Sequence, residues 1–219
     1  MQTFLIKKFL LLAAILILCA GCGEEKKDSP ENALAEIQTA LAERNFEKLS
    51  ARVDSEKLFA QIYDDATLEL AANYDYYKEK YPDDPYFQHD AEFLKKYNTD
   101  FRDLHLKFAN DVRAAYFAKM PAPAIPEENP QAYVANEFEE LRRVVNTEIQ
   151  SIVVDKDSAE MFLTLKGDST LRGQFFGELT FKLGFIKDGE KWHLNKIENL
   201  DELTPPLVDK AEVVWINFF

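Results

Sequence analysis

Glycine is distributed very unevenly along this chain of 219 residues, and the distribution limits what each part can form. The chain contains seven glycines, none of which lies between Glu24 and Lys166, whereas five fall within residues 167–189. Glycine favours hairpin turns and bulges and is unfavourable inside helices. The first part is therefore predicted to be helical and the second part to form a sheet.

Helix starts are indicated by a short polar residue followed by proline, the residue types that suit the N-cap and the first helical position. These pairs are Ser29-Pro30, Asp84-Pro85, Asn129-Pro130 and Thr204-Pro205. With the apolar spacing they predict helices at 30–43, 46–52, 55–81, 85–119 and 130–146. Prolines at 121, 123 and 126 predict a stiff connector before the last of these helices.

The two long helices each carry an apolar seam in alternating steps of three and four residues. The first seam is Phe59, Ile62, Tyr63, Leu70, Tyr74, Tyr77 and Tyr81, and the second is Leu94, Tyr97, Phe101, Leu104, Phe108, Val112 and Ala115. Because the turn between the helices is short, they are expected to pack antiparallel. The tyrosines could form an aromatic ligand surface, but core packing with hydroxyls that reach water is the favoured interpretation.

After Asn146 the apolar period changes to two, most clearly in the segment from Glu178 to Phe185. Strands are predicted near 148–155, 159–166, 174–186 and 190–198, with turn-forming residues between them. Consecutive strands joined by hairpins form a meander, and the preceding helices are expected to cover its apolar face. The predicted fold class is α+β, with a helical hairpin packed on a C-terminal antiparallel sheet.

The N-terminus has the features of a secretory signal: Lys7 and Lys8 precede an apolar run from Phe9 to Ala20 that is shorter than a membrane-spanning helix. The following Ala20-Gly21-Cys22 resembles the lipobox of bacterial lipoproteins, although Cys19 replaces the usual leucine. The resemblance implies lipid attachment at Cys22, with ordinary secretion as the alternative. The expected organisation is a signal peptide at 1–21, a tether at 22–29 and a single domain at 30–219.

Charge and cysteine content restrict the partners. Removal of Lys7 and Lys8 leaves 24 basic and 39 acidic residues, a balance of −15. So acidic a surface repels nucleic acid and anionic lipid headgroups, and membrane contact is expected through the anchor alone. The mature chain would retain one cysteine, so no disulfide is expected.

Two segments are similar to the nuclear-transport-factor-2-like superfamily, also described as the cystatin-like cone fold. They are the helix, turn and helix around the run from Ala42 to Leu49 and the final hairpin from Asp188 to Leu194, with Ile197 after it. The similarity covers 30–52 and 147–200, whereas 55–146 departs from it. It implies a curved sheet with helices on one side, which in that superfamily binds small apolar molecules, carries an acid and a histidine for catalysis, or mediates contacts.

No catalytic residue, metal ligand or cofactor site is predicted. His89, His105 and His193 lack metal-ligand spacing and are interpreted as surface or boundary residues. The acid pairs Asp64-Asp65 and Glu139-Glu140 lie on helices, where adjacent side chains point about 100° apart and cannot converge. The chain is therefore predicted not to be an enzyme; a hydrolase or isomerase of the cone fold is the remote alternative.

The expected function is a non-catalytic binding or interaction module, held by lipid in the outer membrane if the host has one and otherwise on the outer face of the plasma membrane. A small apolar ligand is predicted beneath the sheet, lined by Phe175, Phe181, Phe185 and Trp192. The alternative is an envelope protein that contacts a protein partner without a ligand. A C-terminal docking segment at 204–219 is expected to bury its apolar end as a last strand or against the helices, or to offer it to a partner.

Overall fold

The computed structural model describes residues 28–218, with side-chain surroundings up to residue 211. The α+β prediction is confirmed, since helices fill the first part and an antiparallel sheet follows. The helices of the described part are α1 (Pro30–Glu43), α2 (Phe46–Ser50), α3 (Ser55–Ala72), α4 (Tyr74–Lys80), α5 (Ala91–Phe117), α6 (Pro130–Val144), α7 (Leu171–Phe176) and α8 (Leu200–Phe218). The strands are β1 (Val145–Asp155), β2 (Ser158–Gly167), β3 (Glu178–Asp188) and β4 (Lys191–Ile197).

Two of the predicted proline-marked starts are confirmed with their caps. The Ser29 hydroxyl accepts a hydrogen bond from the Asn32 amide at the start of α1. The Asn129 side chain does the same for the Ala132 amide in α6. Each cap satisfies an amide that the first helical turn leaves without an intrahelical partner.

The long helices differ from the prediction at their junction. The predicted helix 55–81 is broken at Asn73, whose backbone leaves the helical region and whose side chain bonds to Glu69. Asp84 and Pro85 begin a short 3₁₀ turn, not the long helix. Helix α5 begins at Ala91 and is capped by Asp90, which accepts a bond from the Phe93 amide. Local side-chain bonds from Asn and Asp explain both differences, because they compete with helix continuation.

The prediction of a strand from residue 174 is wrong at its start. Helix α7 occupies this position; the Thr170 hydroxyl caps it and Gly177 ends it with a φ of 68°. Strand β3 begins only at Glu178. At the other end of the sheet, α6 runs directly into β1, so this strand starts at Val145, earlier than predicted.

The sheet is a meander in the order β1-β2-β3-β4. Its apolar side carries alternate residues of β2 and β3, and this side faces the helices. The buried members on these two strands are Ala159, Met161, Leu163, Leu165, Leu179, Phe181, Leu183 and Phe185. Beyond β4 the sheet is continued by one parallel bridge between Val53 and Leu194, where the Leu194 amide donates to the Arg52 carbonyl. The buried apolar residues of the sheet and Val53, with those of α1, α3, α5, α6 and α8, form the main core.

A second, aromatic cluster holds the far end of the helical hairpin together. It contains Leu70, Tyr74, Tyr77, Tyr86, Phe87, Leu94, Tyr97 and Val208. The antiparallel hairpin and the first seam are confirmed, but the second seam is corrected at one position. Leu104 is 43% exposed, whereas its neighbour His105 is 1% exposed and takes the inward position. His105 is therefore not the surface or boundary residue that the sequence predicted.

The C-terminal segment is the helix α8. Its start at Leu200 contradicts the predicted start at Thr204-Pro205, since Pro205 and Pro206 lie inside the helix. The strand alternative is also wrong, because the backbone is helical to Phe218. Leu200, Leu203 and Leu207 enter the main core, whereas the docking prediction concerns the apolar end at 213–219 and stays a prediction. The side chains from 212 onward, the predicted signal peptide 1–21 and the predicted lipid-bearing Cys22 lie outside the described residues.

Candidate interaction surface

The structure brings three of the four predicted cavity residues together. Phe181, Phe185 and Trp192 are buried in the main core, on the side of β3 and β4 that faces the helices. Phe175 is separate from them: it lies on α7, is 38% exposed, and its ring centre is 5.8 Å from the Lys210 ammonium. The predicted lining is thus part of the core packing, and Phe175 belongs to a surface contact between α7 and α8.

The helix-facing side of β1 is open at Ile149 and Val154, in contrast to the strand beside it. Ile149 is paired with Leu163, and Val154 is paired with Ala159. Directly opposed residues of an antiparallel pair point to the same side of the sheet. Ile149 and Val154 are 41% and 55% exposed, whereas each of their partners is 4% exposed. The apolar side of the sheet therefore extends past the part that the helices cover.

The placement of the helices explains this open side. The main contacts of α1 and α3 with the sheet are with β4, those of α8 are with β3, and those of α7 are with β2. Strand β1 lies beyond β2, at the edge of the sheet. Among its residues 151–155, Ile152 packs partly against the main core. The helical layer is thus displaced toward β4.

Residues 151–155 of β1 present an exposed apolar side chain on each side of the sheet. Val153 is paired with Glu160, on the side away from the helices, and is 59% exposed. Among the strands of the described part, β1 is paired with β2 alone. We name Ile149, Ile152, Val153 and Val154 the β1 patch; Ile152 is partly buried and the other three are exposed.

The β1 patch was not predicted from the sequence, although one signal was present. Ile152, Val153 and Val154 are consecutive, so one side of a half-buried strand cannot accommodate them all. Three adjacent apolar residues indicate a strand buried on both sides or one with an exposed apolar surface. The position of β1 at the edge of the sheet, which decides between these, depends on tertiary packing.

Glu139 is the centre of a buried ionic network that joins three helices. Its carboxylate accepts hydrogen bonds from Arg142, Arg143 and the Tyr116 hydroxyl, and the same hydroxyl is 2.8 Å from the Leu41 carbonyl oxygen. Burial opposes ionisation of Glu139, but the hydrogen bonds from Arg142 and Tyr116 lower its pKa to about 2. A carboxylate held in its charged form by this many donors is suited to joining helices and not to proton transfer.

Arg52 forms a second buried network, which fixes the chain just before α1. Its guanidinium donates two hydrogen bonds to Asp28, two to Glu36 and one to the Trp192 carbonyl. The Trp192 amide also donates to Asp28. The bonds to Glu36 and Asp28 raise the pKa of Arg52, although burial opposes this, so the guanidinium remains charged. Arg52 thereby holds residue 28, the first described residue, against the start of β4.

His105 lies between the long helices α3 and α5. The Tyr63 hydroxyl donates to the Asn98 carbonyl at 2.9 Å and lies 3.0 Å from His105 Nδ1. Because the single Tyr63 proton is used by that carbonyl, Nδ1 of the neutral ring carries the hydrogen that bonds to the Tyr63 oxygen. His105 Nε2 then has a lone pair and no partner in the described part of the chain. Burial lowers the pKa of His105 to about 4.

The other groups considered from the sequence do not converge on one another. His89 is exposed and stacks near Phe93, and His193 is half-buried on β4. Asp64 forms an exposed ion pair with Arg102. Within residues 28–211 we find no group of three or more His, Cys, Asp or Glu side chains placed to hold a metal ion.

None of the helices described between Asp28 and Phe218 combines the length and the apolar character needed to cross a membrane. No known family model, curated protein or solved structure matches this chain.

Proposed function

We propose that this protein is a lipid-anchored, non-catalytic interaction module of the cell envelope, which engages protein through the β1 patch. One observation carries the proposal: β1 presents apolar side chains at the point where the helical layer ends, and Ile149 and Val154 are open beside buried neighbours. Contiguous exposed apolar surface on a soluble domain is typical of an interaction site. The free edge of a sheet also offers backbone groups to an added strand.

The anchor is the second part of the proposal and is supported by the sequence from Lys7 to Cys22. Two or more acyl chains on Cys22 would anchor the domain stably at a membrane. The Arg52 network fits this arrangement, because it fixes residue 28 only six positions after Cys22. The domain would then be held close to the membrane by a short segment.

The alternative of a small apolar ligand between sheet and helices has weaker support. It would need space beside Phe181, Phe185 and Trp192, and these side chains are 1–5% exposed and packed into the main core. A ligand in a closed cavity would give these side chains the same low exposure. The mass of the native protein therefore distinguishes a bound ligand from a core filled by side chains. Native mass spectrometry of the full chain in mild detergent would show an added mass, lost on denaturation, if a ligand is bound.

The interaction role is tested by site-specific photo-cross-linking in the native envelope. A photoreactive residue replaces Ile149, and the matched control carries it at Leu68 on α3, an exposed leucine outside the patch. We expect a discrete adduct from position 149 that is absent from position 68 and disappears when Val154→Glu is added. Adducts of equal pattern at both positions, or adducts that survive Val154→Glu, would contradict the role of the patch.

The anchor is tested separately by mass spectrometry of the purified chain. The expected product begins at Cys22 and carries the mass of acyl chains, and Cys22→Ser is expected to abolish both the processing and the added mass. A mature chain that begins elsewhere without lipid would overturn the anchor and leave the role of the β1 patch open to the cross-linking test.

A further inference from the structure

We infer that the partner of the β1 patch is a second copy of this chain, which pairs antiparallel with the first along residues 151–155 of β1. The inference rests on the proposed interaction function and names its occupant. The two copies would be related by a two-fold axis at Val153, and their sheets would join edge to edge into one sheet of eight strands.

The first observation is the exposure of apolar residues on both sides of this segment. Val153 and Val154 point to opposite sides of the sheet, and both are more than half exposed. A partner that lay on one side of the sheet would cover only one of them. A strand added at the edge of β1 brings its own side chains next to both.

The second observation is that this segment is regular and unprotected. The irregularity of β1 lies between Ile149 and Ser151, and from Ser151 to Asp155 every residue is in register with β2. Edge strands that avoid pairing carry bulges, prolines or lysines. Residues 151–155 contain no proline and no lysine, and Asp155 is their only charged residue.

The third observation is that the segment is complementary to itself. With Val153 opposite its own copy, Ile152 faces Val154 in both directions and Ser151 faces Asp155. A two-fold axis perpendicular to the sheet keeps each residue on its own side. The helix-facing residues Ile152 and Val154 of both copies then form one apolar surface, and a hydroxyl lies opposite each carboxylate.

Other registers of a symmetric pair are less favourable. A shift by one residue places helix-facing side chains opposite outward-facing ones, which antiparallel pairing does not allow. The symmetric register centred on Ile152 places the carboxylate of Asp155 opposite the apolar side chain of Ile149, a poorly matched pair. The register centred on Val153 avoids both problems.

Net charge gives the association a measurable signature. The chain carries a formal charge of −13, so two copies repel each other at long range. Salt screens this repulsion, with a Debye length of about 10 Å at 0.1 M and about 3 Å at 1 M. Self-association is therefore expected to strengthen as salt is added, the reverse of binding to a basic partner.

The experiment is disulfide cross-linking of the full chain in detergent at rising protein concentration. Val153→Cys places two thiols opposite each other at the axis. The control Ile186→Cys lies on the same outward side of the sheet but on β3, and the parental chain corrects for its own two cysteines. We expect at least a tenfold excess of covalent dimer for Val153→Cys over Ile186→Cys, whereas equal yields would overturn the inference.

A second measurement uses sedimentation equilibrium of the chain without added cysteines. We expect a dimer whose dissociation constant decreases when the salt concentration is raised from 0.05 to 0.5 M. In Val153→Lys we expect the dissociation constant to be at least tenfold higher. Val153 is exposed, so the lysine is not expected to disturb folding. A dimer that persists unchanged in Val153→Lys would overturn the inference.

The outcomes separate this inference from the proposed function. If position 149 forms patch-dependent adducts with another protein while Val153→Cys gives no excess dimer, the interaction role is supported and the second copy is excluded as its occupant. If neither position gives a specific product, both proposals fail.

Discussion

Ile149 and Leu163 lie opposite each other on β1 and β2 with their side chains on the same side of the sheet, yet Ile149 is 41% exposed and Leu163 is 4% exposed. Ile149 is still paired with β2, and the irregularity of β1 begins only after it, between Ile149 and Ser151, so the change in burial occurs within a formed pair. It arises because the helical layer ends between the two strands. A pair of matched truncations follows from this difference.

Leu163→Ala is expected to lower the free energy of unfolding by about 2–5 kcal/mol, since it opens a cavity in the main core. Ile149→Ala is expected to lower it by less than about 1 kcal/mol, because much of the removed surface already contacts water. Urea-induced unfolding of both variants at pH 7 measures the two values. Similar losses would show that the side of β1 is covered after all.

Acid sensitivity is expected from His105. Its folded-state pKa of about 4 lies below the ordinary value of 6.5, so the unfolded chain binds more protons between these pH values. The contribution of neutral His105 to the free energy of unfolding is therefore fully present above pH 6.5 and is lost as the pH falls toward 4. At pH 4 the free energy of unfolding is lowered by about 3 kcal/mol. The proton would have to bind at Nε2, which has no partner in the described part of the chain.

The measurement is the free energy of unfolding from pH 7 to pH 5.5, above the range in which the unfolded chain takes up protons on Glu139 and Asp28, whose folded-state pKa values are lowered. His105→Gln is expected to flatten the profile in this range and can keep a bond to Tyr63. The control His89→Gln changes an exposed ring and is expected to retain the slope. A slope that remains in His105→Gln would assign the acid sensitivity to another group.

Arg52 is expected to contribute more to stability than any exposed ion pair. Arg52→Ala removes the guanidinium that Asp28 and Glu36 share, and loss of one partner of a buried pair destabilises by about 3–5 kcal/mol. Because both carboxylates remain partly exposed, we expect the lower end of this range. Arg52→Lys is expected to retain only part of the stability that Arg52→Ala loses, since an ammonium cannot form paired bonds to two carboxylates.

Arg102→Ala is the matched control for the Arg52 prediction. It removes an exposed pair with Asp64, and such pairs contribute about 0–1 kcal/mol. Thermal unfolding of Arg52→Ala, Arg52→Lys and Arg102→Ala gives the order of their melting temperatures. If Arg52→Ala and Arg102→Ala lower the melting temperature equally, the Arg52 network does not hold the chain at residue 28 as described.

Local signals made much of the fold predictable. The N-caps at Ser29 and Asn129, the apolar seam of α3 and the alternation in β3 are short-range patterns, and the structure contains each of them. Errors occurred where local patterns compete. The predicted strand near 174–186 included Phe175 and Phe176, but the Thr170 cap and Gly177 enclose six residues as a helix.

The candidate surface was not predictable in the same way. Leu104 and His105 exchange their expected positions because Tyr63 and the Asn98 carbonyl provide partners for a buried histidine, and these lie 42 and seven residues away. The exposure of Ile149 depends on where the helices sit over the sheet. Neither relationship is encoded within a window of the sequence, so the β1 patch emerges only from the packing.

Gly167 tests the contact between α7 and the end of β2. A Cβ atom at this position would lie 1.8 Å from the carbonyl oxygen of Gly173, a distance that requires the backbone to move. We expect Gly167→Ala to lower the free energy of unfolding by about 3 kcal/mol or more, since α7 must shift from β2. In the control Gly189→Ala the added methyl group has no atom within 4 Å. Its cost comes from the left-handed backbone at φ 61°, which is about 1–2 kcal/mol for a residue with a side chain. Urea unfolding of both variants compares them, and a smaller effect at Gly167 than at Gly189 would mean that α7 is not held against the sheet through this close contact.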